Sequence, residues 1–527
     1  MNRSRREFIK TIGIGATALS LPHLLSSCGT VKKRPNILYI MSDDHAEQAI
    51  SCYGSKLIDT PNIDRIANEG IRFNNSFVTN SICAPSRAVL LTGKYSHKNG
   101  LRDNRDEFDG NQPTFPKLLQ KNGYQTFMIG KWHLKTDPTG FDIWKILIDQ
   151  GQYYNPDFIE NGEKTKYVGY TTDIITDMVL EQLESRNSAL PFCMLVHHKA
   201  PHRNWMPNFK YFNRYENEDL PLPVTFYDDY STRSAAAREA DMRIDNMYLS
   251  TDMKLNEGFY DKETGSGGSK TYAKNAPDDW KAQRARLTDE QLKMWDEHYE
   301  RVNQEFKTKQ LKGKELLQWK YQRYIKDYLR CIMSIDESVG RLLDYLDQKG
   351  LADNTLVVYT SDQGFYLGEH GWYDKRFMYE ESLSMPLLVR YPRGIKAGSV
   401  SDDIVLNLDF AATFLHYAGV KIPSDMQGKS MKSLMSSGTA HGWRKSMYYH
   451  YYEYPHGWHD VKKHYGVRTE RYKLIHFYND IDAWELYDLQ NDPHELNNVF
   501  ADPGYAEVKV ILIQELARLR VEYGDES

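Results

Sequence analysis

Four short apolar runs stand out along the chain, each followed at once by polar residues. "NILYIMS" (36–42) ends in Asp43-Asp44, and "TFMIG" (126–130) ends in Lys131-Trp132-His133. "PFCMLVHH" (191–198) leads to Lys199 and His202, while "TLVVYTS" (355–361) ends in Asp362-Gln363. Nearly continuous runs of this length read as strands buried on both faces. With helical periodicity between them, they predict an α/β domain whose central sheet is mostly parallel and flanked by helices. Open sheets of this kind hold ligands beyond the carboxyl ends of their strands, so the four polar clusters are predicted to meet at one edge. Singly, an Asp pair reads as a turn or helix cap, and a lone histidine as a satisfied surface or core group. Capping does not call for Lys and His after one strand, His after another and acids after two more, so the joint pattern points to a site.

The remaining pattern divides the chain. Around 251–317 the composition turns charged, with a Gly/Ser-rich "TGSGGSK" (264–270) followed by helical spacing, and this reads as an insertion. Residues 318–350 carry strong helical periodicity ended by Gly350 and feed the strand before Asp362. Beyond Pro392 the segments 446–454, 464–469, 472–478 and 484–489 read as short strands, closed by a helix near 505–521. The expected organisation is an export segment at 1–28, an α/β domain at 34–392 with its insertion, and a smaller antiparallel subdomain at 393–527.

Composition narrows the functional classes. The 527 residues, 40% apolar and 26% charged, suit an ordinary globular chain with room for two packed domains. A net charge of −5 gives no basic footprint for nucleic acid. The 37 Tyr and 10 Trp read as core and interface aromatics, with sugar stacking the alternative. At the N-terminus, Arg5-Arg6 precede an apolar run that stops near Leu25, too short to span a bilayer, which predicts an export signal. The pair followed by "EFIK" resembles a twin-arginine signal, and "LSSC" (25–28) resembles a bacterial lipobox whose Cys28 is lipidated. These features predict a bacterial cell-envelope protein, periplasmic or lipid-anchored, that meets a membrane only through its N-terminal anchor. Cys52, Cys83, Cys193 and Cys331 show neither metal-type spacing nor a disulfide framework.

The clustered residues carry recognisable chemistry. Asp43, Asp44 and Asp362 with the Gln363 amide oxygen form an oxygen-only donor set that favours Ca²⁺ or Mg²⁺, since zinc recruits His or Cys. Arg87, Lys131 and Lys375 would neutralise a tetrahedral oxyanion, sulfate or phosphate. His133 and His202 are candidates for proton transfer. Cys83 lies in "SICAPSRAVLLTG" (81–93), where Pro85 suits a first helical turn. The thiol at such a helix mouth is a nucleophile or the raw material for one.

"CAPSRAVLLTG" matches the Cys-x-Pro-Ser-Arg signature of the type I sulfatases of the alkaline phosphatase superfamily, and the resemblance spans nearly the whole mature chain. Asp43-Asp44, "GKWHL" (130–134), "KAPH" (199–202), "SDQG" (361–364), Lys375 and "WELYDLQNDPHELNN" (484–498) follow in family order. The resemblance implies that a sulfatase-maturing enzyme reads the Cys-x-Pro-x-Arg segment and oxidises Cys83 to formylglycine (3-oxoalanine). It further implies that residue 83, once hydrated, joins Asp43, Asp44, Asp362 and Gln363 around a divalent metal, Ca²⁺ in preference to Mg²⁺. Arg87 and His133 would hold and help deprotonate the hydrated group, Lys131 and Lys375 would grip sulfate, and His202 would protonate the leaving oxygen. Gln363 departs from the family's commonest Asn, which keeps the ligand oxygen and alters its reach.

Four further stretches, 151–159, 169–177, 197–205 and 361–382, look like bacterial N-acetylglucosamine-6-sulfatases and mucin-desulfating sulfatases. This resemblance implies hydrolysis of 6-O-sulfate from N-acetylglucosamine in glycosaminoglycans or mucins, with a sulfated glycan as partner. His464, in a loop region crowded with aromatics, is a candidate sugar contact, with a solvent-facing strand residue as its plain reading. The alternatives are another sulfate specificity (uronate 2-O-sulfate or galactose 6-sulfate), a formylglycine-dependent phosphodiester or phosphonate hydrolase, and a non-enzymatic sulfoglycan-binding lipoprotein.

Overall fold

The computed structural model describes residues 33–260, 270–438 and 440–526, with side chains of the segment after 269 described from residue 275. The export signal, the lipobox and the Gly/Ser-rich stretch up to residue 269 lie outside the described residues. Among those described, a ten-stranded sheet runs in the order 399–401, 71–73, 387–390, 355–361, 36–42, 192–197, 125–131, 143–147, 157–160 and 163–166. The five strands from Thr355–Ser361 across to Ile143–Leu147 are mutually parallel, and antiparallel pairs flank them on both sides.

Each of the four apolar runs forms one of these central strands, and the burial explains why they do not alternate. Ile37, Tyr39 and Met41 enter one apolar core with Leu195, Val358 and Phe414. Leu38 and Ile40 enter a second core on the other face, with Met194, Val196 and Ile332. With helices on both faces, every position of Asn36–Ser42 is buried, so polar residues are displaced to the strand ends.

Register then aligns those ends. Ser42 pairs with Ser361, Met41 with His197, and Gly130 with the same His197. Gly130 adopts φ +113°, and a Cβ there would lie 1.9 Å from the His197 carbonyl oxygen, so only glycine permits this approach.

The charged segment forms helices Lys270–Arg284 and Asp289–Lys309, the latter opened by a Thr288/Gln291 capping box. Gly313–Gln348 follows as a 36-residue helix, and Gly350 with φ +62° lies just past its end. The C-terminal strands Ser446–Tyr451, His464–Thr469, Tyr472–Phe477 and Ala483–Asp488 make an antiparallel sheet. Helix Ala506–Tyr523 packs on it, and both share the first core. Cys52, Cys83, Cys193 and Cys331 are unpaired, and no described helix is long and apolar enough to cross a membrane.

Candidate active site

The aligned strand ends bring Asp43, Asp44, Asp362 and Gln363 to one edge, where helix Cys83–Thr92 delivers its first residue. All ten residues of that helix are buried, and the thiol meets Asp43 Oδ1 at 3.5 Å and the Gln363 amide nitrogen at 3.7 Å. Arg87, one turn on, donates from Nη2 and Nε to Asp362 Oδ2 at 2.9 and 3.2 Å and from Nη1 to the Lys131 carbonyl at 2.7 Å. Lys131 Nζ donates to Asp43 and, at 2.5 Å, to Gln150 Oε1, while Gln150 Nε2 sits 3.0 Å from His133 Nε2. Lys375 Nζ donates to Asp44 Oδ2 at 2.7 Å, and His202 Nε2 is 3.8 Å from the same oxygen.

The donor set fits a hard divalent cation. Ligand oxygens of Asp43, Asp44 and Asp362 lie within 4.8 Å of one another. Gln363 donates to Asp44 and leaves its own Oε1 buried without a partner among the described residues. Four such oxygens on three anions and an amide suit Ca²⁺ or Mg²⁺. Their electrostatics agree: burial, reinforced by the neighbouring acids, raises Asp44 and Asp362 above the usual carboxylate range. At Asp43 burial is outweighed by Lys131, His202, Arg87 and Lys375, which hold its pKa well below that range.

The helix mouth does not activate the thiol. Burial pushes the Cys83 pKa up to about 12, Lys375 opposes this and Asp43 supports it. A thiolate needs a net positive surrounding, and here the acids and the loss of water prevail. His133 and His202 are both driven well below the ordinary histidine range, first by burial and next by Lys131.

Above the cluster opens a cavity of about 270 Å³. Cys83, Lys375 and His202 line it together with Asp374, Arg376, Trp458, Lys199 and Tyr153, and Gln283 of the insertion reaches it too. Asp374 is an acceptor shared by Arg376 and by His459 at 2.9 Å, and it holds an acceptor beside a donor at the wall. A larger cavity of about 720 Å³ lies around Trp319 and Arg323 and contains none of the clustered residues.

The structure thus gathers every residue expected at the site except His464. That residue lies in a strand, as read, but its ring is fully buried, so it serves neither as a sugar contact nor as a solvent-facing group. Its Nδ1 lies 2.8 Å from the Lys462 carbonyl, its Nε2 accepts from Met378 N at 3.1 Å, and Tyr449 and Phe477 pack on the ring. Crowded aromatics marked a core rather than a pocket mouth. Asp374 and Arg376 escaped notice although they flank Lys375, and Lys199, noted after its strand, was given no role. Gln150 and Gln283 come from segments with no strand or motif signal, and only the fold reveals their place.

Comparison with known proteins agrees with this geometry. A family described as "Sulfatase" matches residues 35–420, and "N-sulphoglucosamine sulphohydrolase, C-terminal" matches 368–522. The chain is 50% identical over 520 residues to an N-acetylglucosamine-6-O-sulfatase of Bacteroides thetaiotaomicron, covering 98% of this chain and 91% of that one. It is 25% identical over 446 residues to the N-acetylglucosamine-6-sulfatase of Homo sapiens, covering 80% and 67%. A solved structure in complex with its substrate D-glucosamine-2-N,6-O-disulfate superposes with a TM-score of 0.89 at 51% identity, covering 94% of this chain and 99% of that one.

Proposed function

The chain belongs to the sulfatase family, and from that premise we propose that it removes 6-O-sulfate from glucosamine or N-acetylglucosamine residues of sulfated glycans, with Cys83 matured to formylglycine and Ca²⁺ as its metal. It is a sulfuric ester hydrolase. The observation that carries the choice of ester is the half-identity, over almost the full chain, to an enzyme named for that reaction.

Asp43, Asp44, Asp362 and the Gln363 amide oxygen would hold the cation, which when bound supplies Lewis-acid polarisation of an oxygen ligand. Hydrated formylglycine would supply a hydroxyl oxygen as nucleophile at the helix mouth, where burial holds the thiol of an unmatured Cys83 protonated. Arg87 is fixed by Asp362 and the Lys131 carbonyl and so orients the group at 83. Lys131 and Lys375 present ammonium groups beside it, already held by Asp43 and Asp44, ready for sulfate oxygens. His202 Nδ1 lies 2.8 Å from the Arg203 carbonyl, an arrangement that turns Nε2 toward the cavity and the leaving oxygen. An arriving sulfate would raise the depressed His202 pKa and equip it to donate a proton. Asp374 and Arg376 offer an acceptor and a donor suited to adjacent sugar hydroxyls.

The proposal extends to biogenesis. The N-terminal sequence supports export and lipid anchoring at Cys28, and "CAPSR" supports recognition by a maturing enzyme. Incubating matured protein with N-acetylglucosamine 6-sulfate, its 3-sulfate, galactose 6-sulfate, 2-sulfated uronates and a phosphodiester tests the specificity. The 6-sulfate should turn over fastest; faster release from any other ester in the panel rejects the assignment.

A further inference from the structure

Two catalytic segments that are far apart in sequence are tied to each other by a closed ring of buried hydrogen bonds. Ser81, two residues before Cys83, donates its backbone N–H to the Tyr449 hydroxyl at 3.1 Å. Tyr449 donates in turn to the carbonyl of Arg376, next to Lys375, at 2.6 Å. The Arg376 N–H donates to Ser382 Oγ at 2.9 Å, and Ser81 Oγ closes the ring at 2.8 Å from both Ser382 Oγ and the Ser382 carbonyl. That carbonyl also accepts from Gly364 N at 3.2 Å, the residue after Gln363. Gly364 is held tightly, since a Cβ there would lie 2.2 Å from the carbonyl oxygens of Glu381 and Ser384.

Ser81, Ser382 and Tyr449 are fully buried, and Arg376 is nearly so. Tyr449 comes from the C-terminal sheet and Ser382 from the short helix Glu380–Leu383 after Lys375, so two separate elements bridge the segments. Burial makes each bond directional and expensive to leave unmade. None of the four side chains bonds the thiol, and Arg376 enters the ring through its backbone.

We propose that Tyr449 and Ser382 are positioning residues that fix the nucleophile segment against the Lys375 segment and the Gln363 turn, so that the C-terminal sheet takes part in setting active-site geometry. The inference rests on the sulfatase reading of the site and deepens it. Small displacements of a reacting pair lower rate steeply while leaving binding nearly intact.

The test compares matured wild type with Tyr449→Phe, Ser382→Ala, Ser382→Thr and the double variant Tyr449→Phe/Ser382→Ala, with conversion at residue 83 checked by intact mass. Each of Tyr449→Phe and Ser382→Ala should lower kcat about tenfold with KM within twofold, and Ser382→Thr should recover most of the loss. The double variant should be less impaired than the product of the singles, because one ring is broken in each. Hydrogen exchange at the Ser81 and Arg376 amides should quicken at least tenfold in both single variants, independently of turnover. Rates within twofold of wild type, losses that fall on KM, strictly multiplicative effects, or unchanged amide protection would each overturn the proposal. A wild type that cleaves no sulfate ester would refute the functional reading instead, and the exchange result would still report on the ring.

Discussion

Two buried charge clusters both draw on the 365–383 segment, and histidine behaves oppositely in them. In the site, His133 and His202 are driven far down, because burial is compounded by Lys131. At the contact with the C-terminal sheet, burial likewise disfavours the charge on His370, yet Asp228 at 2.8 Å and Glu381 at 3.8 Å outweigh it and raise the pKa to about 9. Nearby, Lys473 is held between Glu380 and Glu495 at 2.8 and 2.7 Å. The structural cluster sets each buried cation against carboxylates, His370 against Asp228 and Glu381 and Lys473 against Glu380 and Glu495. The catalytic one sets its histidines beside lysines, so they are depressed, and it is this contrast in histidine charge that separates a pocket built for a cation and an oxyanion from a latch.

The sharpest way to break this comparison is to leave residue 83 as cysteine. Burial holds the Cys83 thiol protonated, and a thiol lacks the second hydroxyl through which hydrated formylglycine would release sulfate, so unmatured protein should turn over at least about 10³-fold more slowly than matured protein. Activity of the thiol form that climbs tenfold per pH unit toward wild-type levels would show that the cysteine itself attacks.

The latch makes the next largest prediction, in stability. His370 has a folded pKa above its ordinary 6.5, so its stabilisation is complete below about pH 6.5 and lost as pH rises through about 9. The whole effect is on the order of 3 kcal/mol, read as the pH dependence of urea unfolding that disappears in His370→Asn. An identical slope in the variant would show that His370 is neutral in the fold.

Removing the cation should weaken the catalytic cluster alone. Ca²⁺ at a hundredfold excess over its Kd should stabilise the protein by about 2.7 kcal/mol, and chelation should abolish both this and turnover. In Asp44→Asn the gain in Tm with Ca²⁺ should largely vanish; an undiminished gain would place the ion elsewhere.

The smallest effect belongs to the rim. Gln283→Ala should raise KM a few-fold, under about 1 kcal/mol, with kcat unchanged, measured on 6-sulfated glucosamine. A fall in kcat instead would move Gln283 from the wall into the reaction.

Much of the site was legible because strand geometry compresses it. Once 36–42, 126–130, 191–198 and 355–361 are read as parallel strands, Asp43, Lys131, His202 and Asp362 must share an edge, and the "CAPSR" signature adds Cys83 and Arg87. What escaped depends on side-chain direction and on loops. The strand His464–Thr469 is buried at every position but its last, so no alternation along it marks His464 as covered. Gln150, Gln283 and the Ser81–Tyr449–Arg376–Ser382 ring unite residues from segments whose meeting no local pattern encodes.

The insertion has a practical consequence. Helix Lys270–Arg284 touches the cavity through Gln283, while every group proposed for the metal and the ester bond is rooted elsewhere. The same insertion is rooted in the second core through Trp280, Trp295 and Tyr299, so the wall that meets incoming glycans is held by the packing that also holds the catalytic strands.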